Sequence, residues 1–204
     1  MKLYSFLKTC LGAFFTALFR IKIEGKENVP AEGAVLVCPN HISNWDPILL
    51  AAVSDRQIRF MAKSSLFKIP VVSSILKAVG AFPVNRGSAD PSALKRAIAN
   101  LRNGDAVGIF PQGTRYRGVH PVVSSVKSGV GMIAYRAKCD VLPVAIATKG
   151  YKTSIFKPVY IKIGKPISYG ELGLEHGTAE EYNYAAKLIF DRVLELNADV
   201  EVGK

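Results

Sequence analysis

Cysteine is scarce in this sequence, and its spacing disfavours two classes of stabilised protein. The three cysteines, Cys10, Cys38 and Cys139, lie far apart and form no C-x-x-C pair or zinc-ligand pattern. Disulfide-stabilised and zinc-stabilised domains need cysteines that are more numerous or more closely spaced. We therefore expect no disulfide framework and no metal site, and a reducing cytosolic environment.

Long apolar runs and several catalytic signatures are also missing. No run reaches the roughly 18–20 apolar residues that a membrane-spanning helix needs. The G-x-S-x-G of serine hydrolases, the glycine-lysine signature of P-loop enzymes and the H-E-x-x-H of zinc hydrolases do not occur. These absences disfavour hydrolases of the serine, P-loop and metal-dependent types, and no cofactor is indicated.

Acidic residues are few in most of the chain. Residues 1–170 contain 24 Lys and Arg against 8 Asp and Glu, whereas residues 171–204 contain 3 against 8, for a net charge of +11. A basic surface of this kind favours an anionic partner such as nucleic acid, anionic lipid or a phosphorylated substrate. No recognised nucleic-acid-binding module is present, so we expect no nucleic-acid partner.

The N-terminal segment combines basic and apolar residues at helical spacing. Leu3, Phe6, Leu7, Leu11, Phe14, Phe15, Leu18 and Phe19 alternate with Lys2, Lys8, Arg20 and Lys22. This pattern predicts an amphipathic helix that lies in the membrane surface, so we divide the chain into a membrane-associating segment, 1–24, and a domain, 25–204. A helix that packs on the core is the alternative, and the lack of a small-residue cleavage site disfavours a signal peptide.

The rest of the sequence alternates short apolar runs with helical patterns. With 204 residues that are 49% hydrophobic, the chain is long enough for one sizeable core. Predicted strands are Ala34–Cys38, Ile58–Met61, Ala81–Val84, Ala106–Phe110, Val141–Ala147 and Val159–Ile163. Predicted helices begin after Asp90, as an N-cap, and after Thr178, where Glu181 completes a capping box. We predict an α/β fold in which helices flank a single mixed β-sheet.

The segment Asn40-His41-Ile42-Ser43-Asn44-Trp45-Asp46-Pro47 follows a predicted strand and precedes a predicted helix. Histidine titrates near neutrality, so His41 can accept a proton from an alcohol that attacks a thioester. Asp46 can orient the ring and stabilise the imidazolium. The alternative is a polar turn in which Asp46 only caps the helix.

Two further segments place cations after predicted strands. In Phe110-Pro111-Gln112-Gly113-Thr114-Arg115, the glycine lets the backbone approach an anion, the threonine can donate a hydrogen bond, and Arg115 can bind phosphate through its two-pronged guanidinium. Arg86 follows the strand that contains Phe82-Pro83-Val84. For each segment, a solvated surface arginine is the alternative.

These segments, in this order, resemble the 1-acylglycerol-3-phosphate acyltransferase family over roughly residues 25–165. The family's N-H-x-x-x-x-D block matches Asn40 to Asp46, its second block matches Lys63 to Arg86, and its third matches Phe110 to Arg115. The strand Val141-Leu142-Pro143-Val144 matches its fourth block, and Lys127 with Gly129 resembles its lysine-x-glycine.

The resemblance implies transfer of an acyl chain from acyl carrier protein or coenzyme A to the 2-hydroxyl of 1-acylglycerol 3-phosphate. It implies His41 as base, Asp46 as its orienter and Arg115 as phosphate ligand. Gly113 and Thr114 would shape the acceptor site. Arg86 would assist with phosphate, and Lys63 would lie near the reacting carbonyl. Such enzymes carry membrane-dipping helices, so we expect peripheral or monotopic attachment to the cytoplasmic side of the cell membrane.

One residue departs from the family pattern. The third block usually has glutamate between its proline and its glycine, where this chain has Gln112. Glutamine retains a carbonyl acceptor and gains an amide donor, so we predict that it supports activity. Two other functions stay open: acyl transfer to another acceptor, such as glycerol 3-phosphate or a lyso-aminolipid, and noncatalytic binding of anionic lipid.

Overall fold

The computed structural model describes residues 12–85 and 90–198 of the chain. Within these ranges, helices lie at α1 (residues 12–18), α2 (Asp46–Val53), α3 (Pro70–Ala78), α4 (Pro91–Arg102), α5 (Gly129–Ala137) and α6 (Ala179–Ala198). The strands are β1 (Lys22–Glu24), β2 (Val35–Pro39), β3 (Ile58–Lys63), β4 (Phe82–Val84), β5 (Ala106–Gly108), β6 (Asp140–Thr148) and β7 (Val159–Ile163).

The strands form one mixed sheet in the order β1-β7-β6-β2-β5-β3-β4. The five strands from β6 to β4 are parallel, β7 is antiparallel to β6, and β1 is parallel to β7. The predicted α/β fold is therefore confirmed. We call the side where the five parallel strands end the carboxyl edge, and the opposite side the amino edge. Segments that follow β2, β3, β5 and β6 all begin at the carboxyl edge.

Both faces of the sheet are covered, which is why its strands are apolar at consecutive positions. All five residues of β2 are buried. Val35 and Val37 face one core, which also contains Phe19 of the N-terminal segment and Leu49 of α2. Leu36 and Cys38 face the other core, to which α4, α5 and α6 contribute. Burial raises the pKa of the Cys38 thiol well above its usual range.

The predicted starts of α4 and α6 are confirmed. Asp90 accepts hydrogen bonds from the backbone N–H groups of Ser92 and Ala93, at 3.0 and 3.1 Å. At α6, which begins at Ala179, Thr178 Oγ1 accepts from the Glu181 N–H at 3.3 Å, as predicted. The other half of the predicted capping box differs, because the Glu181 carboxylate accepts from the N–H groups of His176 and Gly177. The short strand β1 was not predicted, because only one of its three residues is apolar and its pairing with β7 supplies the order.

Part of the predicted membrane-associating segment packs on the domain. Phe19 is fully buried, and the ring of Phe15 lies 5.9 Å from that of Trp45, whereas Phe14 is 57% exposed. Phe15 and Phe19 therefore pack against the domain, as expected for the alternative prediction of a helix that packs on the core. Residues 1–11 lie outside the described ranges, so membrane association stays a prediction. None of the described helices combines the length and apolarity that a membrane crossing requires.

Candidate active site

His41 and Asp46 form a buried pair at the carboxyl edge. His41 lies two residues after the end of β2, and Asp46 is the first residue of α2. The His41 Nδ1 atom is 2.8 Å from Asp46 Oδ2, and the two residues are 4% and 0% exposed. An ionised carboxylate only accepts hydrogen bonds, so the proton of neutral His41 lies on Nδ1. The lone pair on Nε2 is then available as a base.

The Asp46 side chain folds the loop that holds His41. The same Oδ2 atom accepts hydrogen bonds from the backbone N–H groups of Ile42, at 2.7 Å, and Ser43, at 2.8 Å. None of these donors belongs to the first turn of α2, so the carboxylate does not act as a helix cap. Three donors converge on one oxygen and fix the position of the carboxylate beside the imidazole.

The His41 backbone is fixed by the segment that follows β5. Its N–H donates to Gln112 Oε1 at 2.5 Å, and its carbonyl accepts from the N–H of Tyr116 at 2.9 Å. The preceding residue, Asn40, is hydrogen-bonded through its side chain to both backbone groups of Ile146 in β6. The His41 loop is therefore tied to the strands on both sides of β2.

An aromatic stack packs against one face of the imidazole. The Phe110 ring lies 3.8 Å from the His41 ring with an interplanar angle of 20°, and Phe60 lies 5.9 Å further on. Gly108, at the end of β5, makes the stack possible. A Cβ atom at that position would lie 2.1 Å from the nearest atom of the Phe60 ring. The stack covers one face of the imidazole and leaves its Nε2 edge as the reactive part.

Gln112, where the family usually has glutamate, is fully buried and uses both ends of its amide. Its Oε1 accepts from His41, and its Nε2 donates to Ser124 Oγ at 2.7 Å. The Ser124 hydroxyl in turn donates to the carbonyl of Pro121 at 2.6 Å. Because that hydroxyl has a single proton, the serine is an acceptor toward residue 112, and an amide meets this demand.

Arg115 is brought next to the His41 loop. It is exposed, and its Nη1 donates to Oδ1 of Asn44, three residues after His41. Gly113 has a positive φ of 69°, a conformation that favours glycine, and Thr114 beside it is exposed. The Lys127 side chain packs beside Gly113. Two cations and an exposed hydroxyl therefore adjoin the histidine loop, an arrangement suited to a phosphate.

The other two predicted site residues are less directly placed. Lys63 is the last residue of β3 and is exposed at the carboxyl edge, on the strand next to β5. Arg86 lies outside the described residues. The roles assigned to all eight predicted site residues stay predictions, although His41, Asp46, Gln112, Gly113, Thr114 and Arg115 come together in two contacting loops.

The roles of several supporting residues could not be identified from the sequence. Phe110 and Asn40 had been quoted as parts of motifs, but the stack on His41 and the link to β6 join residues more than 60 positions apart. Ser124 and Asn44 gave no signal, because a polar residue in a loop is ordinary. Gly108, a glycine that ends a buried strand just before a motif, was a usable signal of close packing.

Comparisons with known proteins identify the family of this chain. The profile of the Acyltransferase family matches residues 20–147. The 1-acyl-sn-glycerol-3-phosphate acyltransferase of Bacillus subtilis is 33% identical over 169 residues, which are 81% of this chain and 82% of that protein. The enzyme of the same name from Borreliella burgdorferi is 33% identical over 153 residues, 74% of this chain and 59% of that protein.

A solved structure extends the likeness to the whole fold. The crystal structure of the 1-acyl-sn-glycerophosphate acyltransferase PlsC from Thermotoga maritima superposes with a TM-score of 0.68 at 27% identity, covering 97% of this chain and 79% of that one. The family profile, over residues 20–147, includes both loops of the site. The chain belongs to the acyltransferase family, as the sequence motifs had indicated.

Proposed function

We propose that this protein transfers a fatty acyl group to the sn-2 hydroxyl of 1-acyl-sn-glycerol 3-phosphate and so forms phosphatidic acid. The observation that carries the proposal is the 2.8 Å contact between His41 Nδ1 and Asp46, in a loop that also contacts Arg115 through Asn44. A base for an alcohol and a cation for a phosphate are thus neighbours. The relatives from Bacillus subtilis and Borreliella burgdorferi are named 1-acyl-sn-glycerol-3-phosphate acyltransferase, which supports this proposal.

The reaction follows from the placement of the imidazole. His41 Nε2 accepts the proton of the lipid hydroxyl as its oxygen attacks the thioester carbonyl. Asp46 stabilises the imidazolium that forms. When the tetrahedral intermediate collapses, the C–S bond breaks and the thiolate takes the proton from Nε2. The products are an ester and a thiol, and the histidine returns to its neutral state.

Arg115 gives the acceptor its selectivity in this proposal. A guanidinium binds a phosphate through two parallel charge-assisted hydrogen bonds, which a neutral or zwitterionic headgroup matches less well. Its hydrogen bond to Asn44 holds it over the His41 loop. Lys63 and Arg86 are further candidates for binding the donor carbonyl and the phosphate. The donor is an acyl carrier protein or a coenzyme A thioester.

The protein works from the cytoplasmic side of the cell membrane as a peripheral or monotopic protein in this proposal. The lysophospholipid acceptor has a tail that partitions into the bilayer, and the product has two. The basic surplus of residues 1–170 and the exposed Phe14 on α1 support attachment at a lipid surface.

The test is an acyl-transfer assay with the full chain in detergent. Labelled acyl thioester is supplied with 1-acylglycerol 3-phosphate, glycerol 3-phosphate or a lyso-aminolipid as acceptor. We expect labelled phosphatidic acid from the parent and none from His41→Ala, while His176→Ala, which changes an exposed histidine, keeps the parent rate. Faster use of another acceptor would redirect the proposal, and product from His41→Ala would refute the mechanism.

Arg115→Ala tests the acceptor site separately. Loss of charge-assisted bonds worth roughly 1.5–3 kcal/mol each should reduce kcat/KM for the lysophosphatidate by about tenfold or more. Arg117→Ala, which removes the same charge from an exposed residue of the same loop, is the matched control. Equal losses in both variants would mean that general charge, and not a bond from Arg115, recognises the acceptor.

A further inference from the structure

Most exposed hydrophobic side chains lie on α1 or in segments that begin at one side of the sheet. Thirteen large hydrophobic residues are exposed in residues 12–85 and 90–198, and twelve of them lie on α1 or in segments that follow β2, β3, β5 and β6. These segments begin at the carboxyl edge. The thirteenth, Tyr184 on α6, lies against Gly173 on the other side of the sheet. Scattered exposed apolar residues are normal, but a one-sided distribution marks an interaction surface.

Two apolar projections flank the active site. The first, Leu66, Ile69 and Val71, follows β3, and its side chains are 39%, 50% and 71% exposed. The second, Ile155 and Phe156, follows β6 and is 53% and 68% exposed. In the sheet order β6-β2-β5-β3, the strands that carry the projections lie outside β2 and β5, which carry the site. The His41 loop is therefore between them.

The second projection is held outward at a conformational cost. Phe156 has a positive φ of 61°, which an aromatic residue rarely adopts, and its N–H donates to the Leu18 carbonyl at 2.7 Å. This bond joins the projection to the end of α1. A phenylalanine that is fixed in a strained backbone and still 68% exposed gains little burial within the chain. An apolar partner would bury the rest of its ring.

The segments that follow β3, β5 and β6 carry charge of one sign. Residues 64–78, 109–128 and 149–158 contain Lys68, Arg115, Arg117, Lys152 and Lys157 among their basic residues and no Asp or Glu. The acid of the His41 loop, Asp46, is fully buried against His41. Any partner of the surface therefore presents negative charge along with an apolar interior.

We infer that the carboxyl edge as a whole is a membrane-docking face, with the two projections entering an anionic leaflet on either side of the active site. The inference rests on the proposed function at a lipid surface and assigns docking to loops of the domain, beyond the N-terminal helix. The face extends from α1, next to β1, to α3, next to β4. Lipid phosphates meet its cations, and acyl chains receive Phe156, Ile155, Ile69 and Val71.

An acidic carrier protein is the other partner that such a surface could attract. The breadth of the apolar positions favours the bilayer, because they span the sheet and do not line a single groove. Docking in this way turns the loop that carries His41 toward the leaflet. A lysophospholipid can then reach the base by lateral diffusion, with its tail remaining among the acyl chains.

Vesicle sedimentation of the full chain measures the contribution of the projections. The vesicles contain phosphatidylcholine with phosphatidylglycerol, or phosphatidylcholine alone. We expect the double variants Ile155→Gln with Phe156→Gln, and Ile69→Gln with Val71→Gln, each to bind anionic vesicles about tenfold more weakly. Tyr184→Gln, which removes an equally exposed aromatic side chain, should bind like the parent. Parent-like binding by both double variants would overturn the inference.

A second pair of variants tests the contribution of the basic residues to membrane docking. Lys152→Gln with Lys157→Gln should weaken binding to anionic vesicles by about tenfold, and Lys165→Gln with Lys187→Gln, an equal change of exposed residues elsewhere, by much less. Equal losses would reduce the effect to net charge and overturn the face. Loss of binding to an acyl carrier protein, with vesicle binding unchanged, would assign the surface to that partner and overturn the inference as well.

The single tryptophan reports the orientation without a label. Trp45 is 40% exposed and lies in the His41 loop between the projections. Its fluorescence should be quenched by lipids brominated on the acyl chain. Sedimentation without quenching would mean that another surface binds. These readouts need no turnover, so a failed acyl-transfer assay with intact docking would refute the proposed function alone, and the reverse result would refute the docking face alone.

Discussion

At the amino edge of the sheet, Arg56 donates hydrogen bonds to the carbonyl oxygens of Pro30, Gly33 and Gly104, each at 2.9 Å. At the carboxyl edge, Arg115 donates to a neutral amide, Asn44, and stays exposed. Arg56 ties together the segments that lead into β2, β3 and β5, whereas Arg115 adjoins the segments that leave β2 and β5. An arginine thus crosslinks the segments that enter the sheet at the amino edge, whereas an arginine at the carboxyl edge is exposed and available for binding.

Acidic residues follow the same division. The amino edge has Asp55, which pairs with Lys26 at 2.9 Å, and Asp105 at the start of β5. At the carboxyl edge, Asp46 is buried and engaged with His41 and two backbone N–H groups. Charges that neighbouring groups satisfy hold the fold together, and cations without nearby acids are available to substrate and lipid. Substitutions at each edge test this division of roles.

The largest effect is expected for Asp46→Asn at the carboxyl edge. An asparagine oxygen can still accept from the loop N–H groups and from His41 Nδ1, but a neutral amide no longer stabilises an imidazolium. Turnover should fall by at least about a hundredfold. Steady-state kinetics with detergent-dispersed lysophospholipid measures this loss, and an unchanged circular dichroism spectrum is the control. Turnover within about threefold of the parent would contradict the role of the Asp46 charge.

A smaller effect, on stability, is expected for Arg56→Met at the amino edge. The methionine keeps most of the apolar stem but removes three hydrogen bonds to carbonyl groups that water reaches only in part. The free energy of unfolding should decrease by about 2 kcal/mol, with kcat/KM of the remaining folded enzyme unchanged. Urea unfolding provides the measurement. Arg115→Met should show the reverse pattern, and a similar loss of stability in both variants would remove the contrast between the edges.

The smallest effect is expected for Gln112→Glu, which restores the residue that the family usually has. Ser124 would have to turn its proton from Pro121 to the new carboxylate, so the free energy of unfolding should decrease by about 1 kcal/mol. Turnover should change by less than about threefold, because His41 keeps an acceptor for its N–H. Thermal unfolding and kinetics check the two parts. A large rise in turnover would mean that negative charge at this position matters more than the bond to Ser124.

Much of the fold could be predicted from the sequence, because apolar runs and helix-capping residues are local patterns. Ile58, Val107 and Ile161 belong to apolar runs whose strands formed near the predicted positions, and Asp90 with Pro91 gave the start of α4. Strand ends were less predictable: β5 ends at Gly108, two residues before the predicted end, because residues 109 and 110 leave the sheet to reach the His41 loop. β1 is a strand only because it pairs with β7, and no local sequence pattern predicts such a pairing.

For the site, residue types and spacing were sufficient to select the two loops and the chemistry. His41 and Asp46 are five residues apart, and their contact is a local event that the turn before α2 produces. The contacts of Gln112 with His41 and of Arg115 with Asn44 span 71 residues. They exist because β2 and β5 are adjacent and parallel, so their carboxyl ends present the two loops side by side.

The alternation of strands and helices, the His41–Asp46 pair and the excess of positive charge can be read from the sequence, since the first two depend on residues near one another in the chain and the third on composition. The contacts of Gln112 with Ser124 and His41, and the stacking of Phe110 on the imidazole, depend on the folded chain. The parallel sheet brings the ends of distant strands to one side, and the separation of residues along the sequence does not indicate which strands will be neighbours.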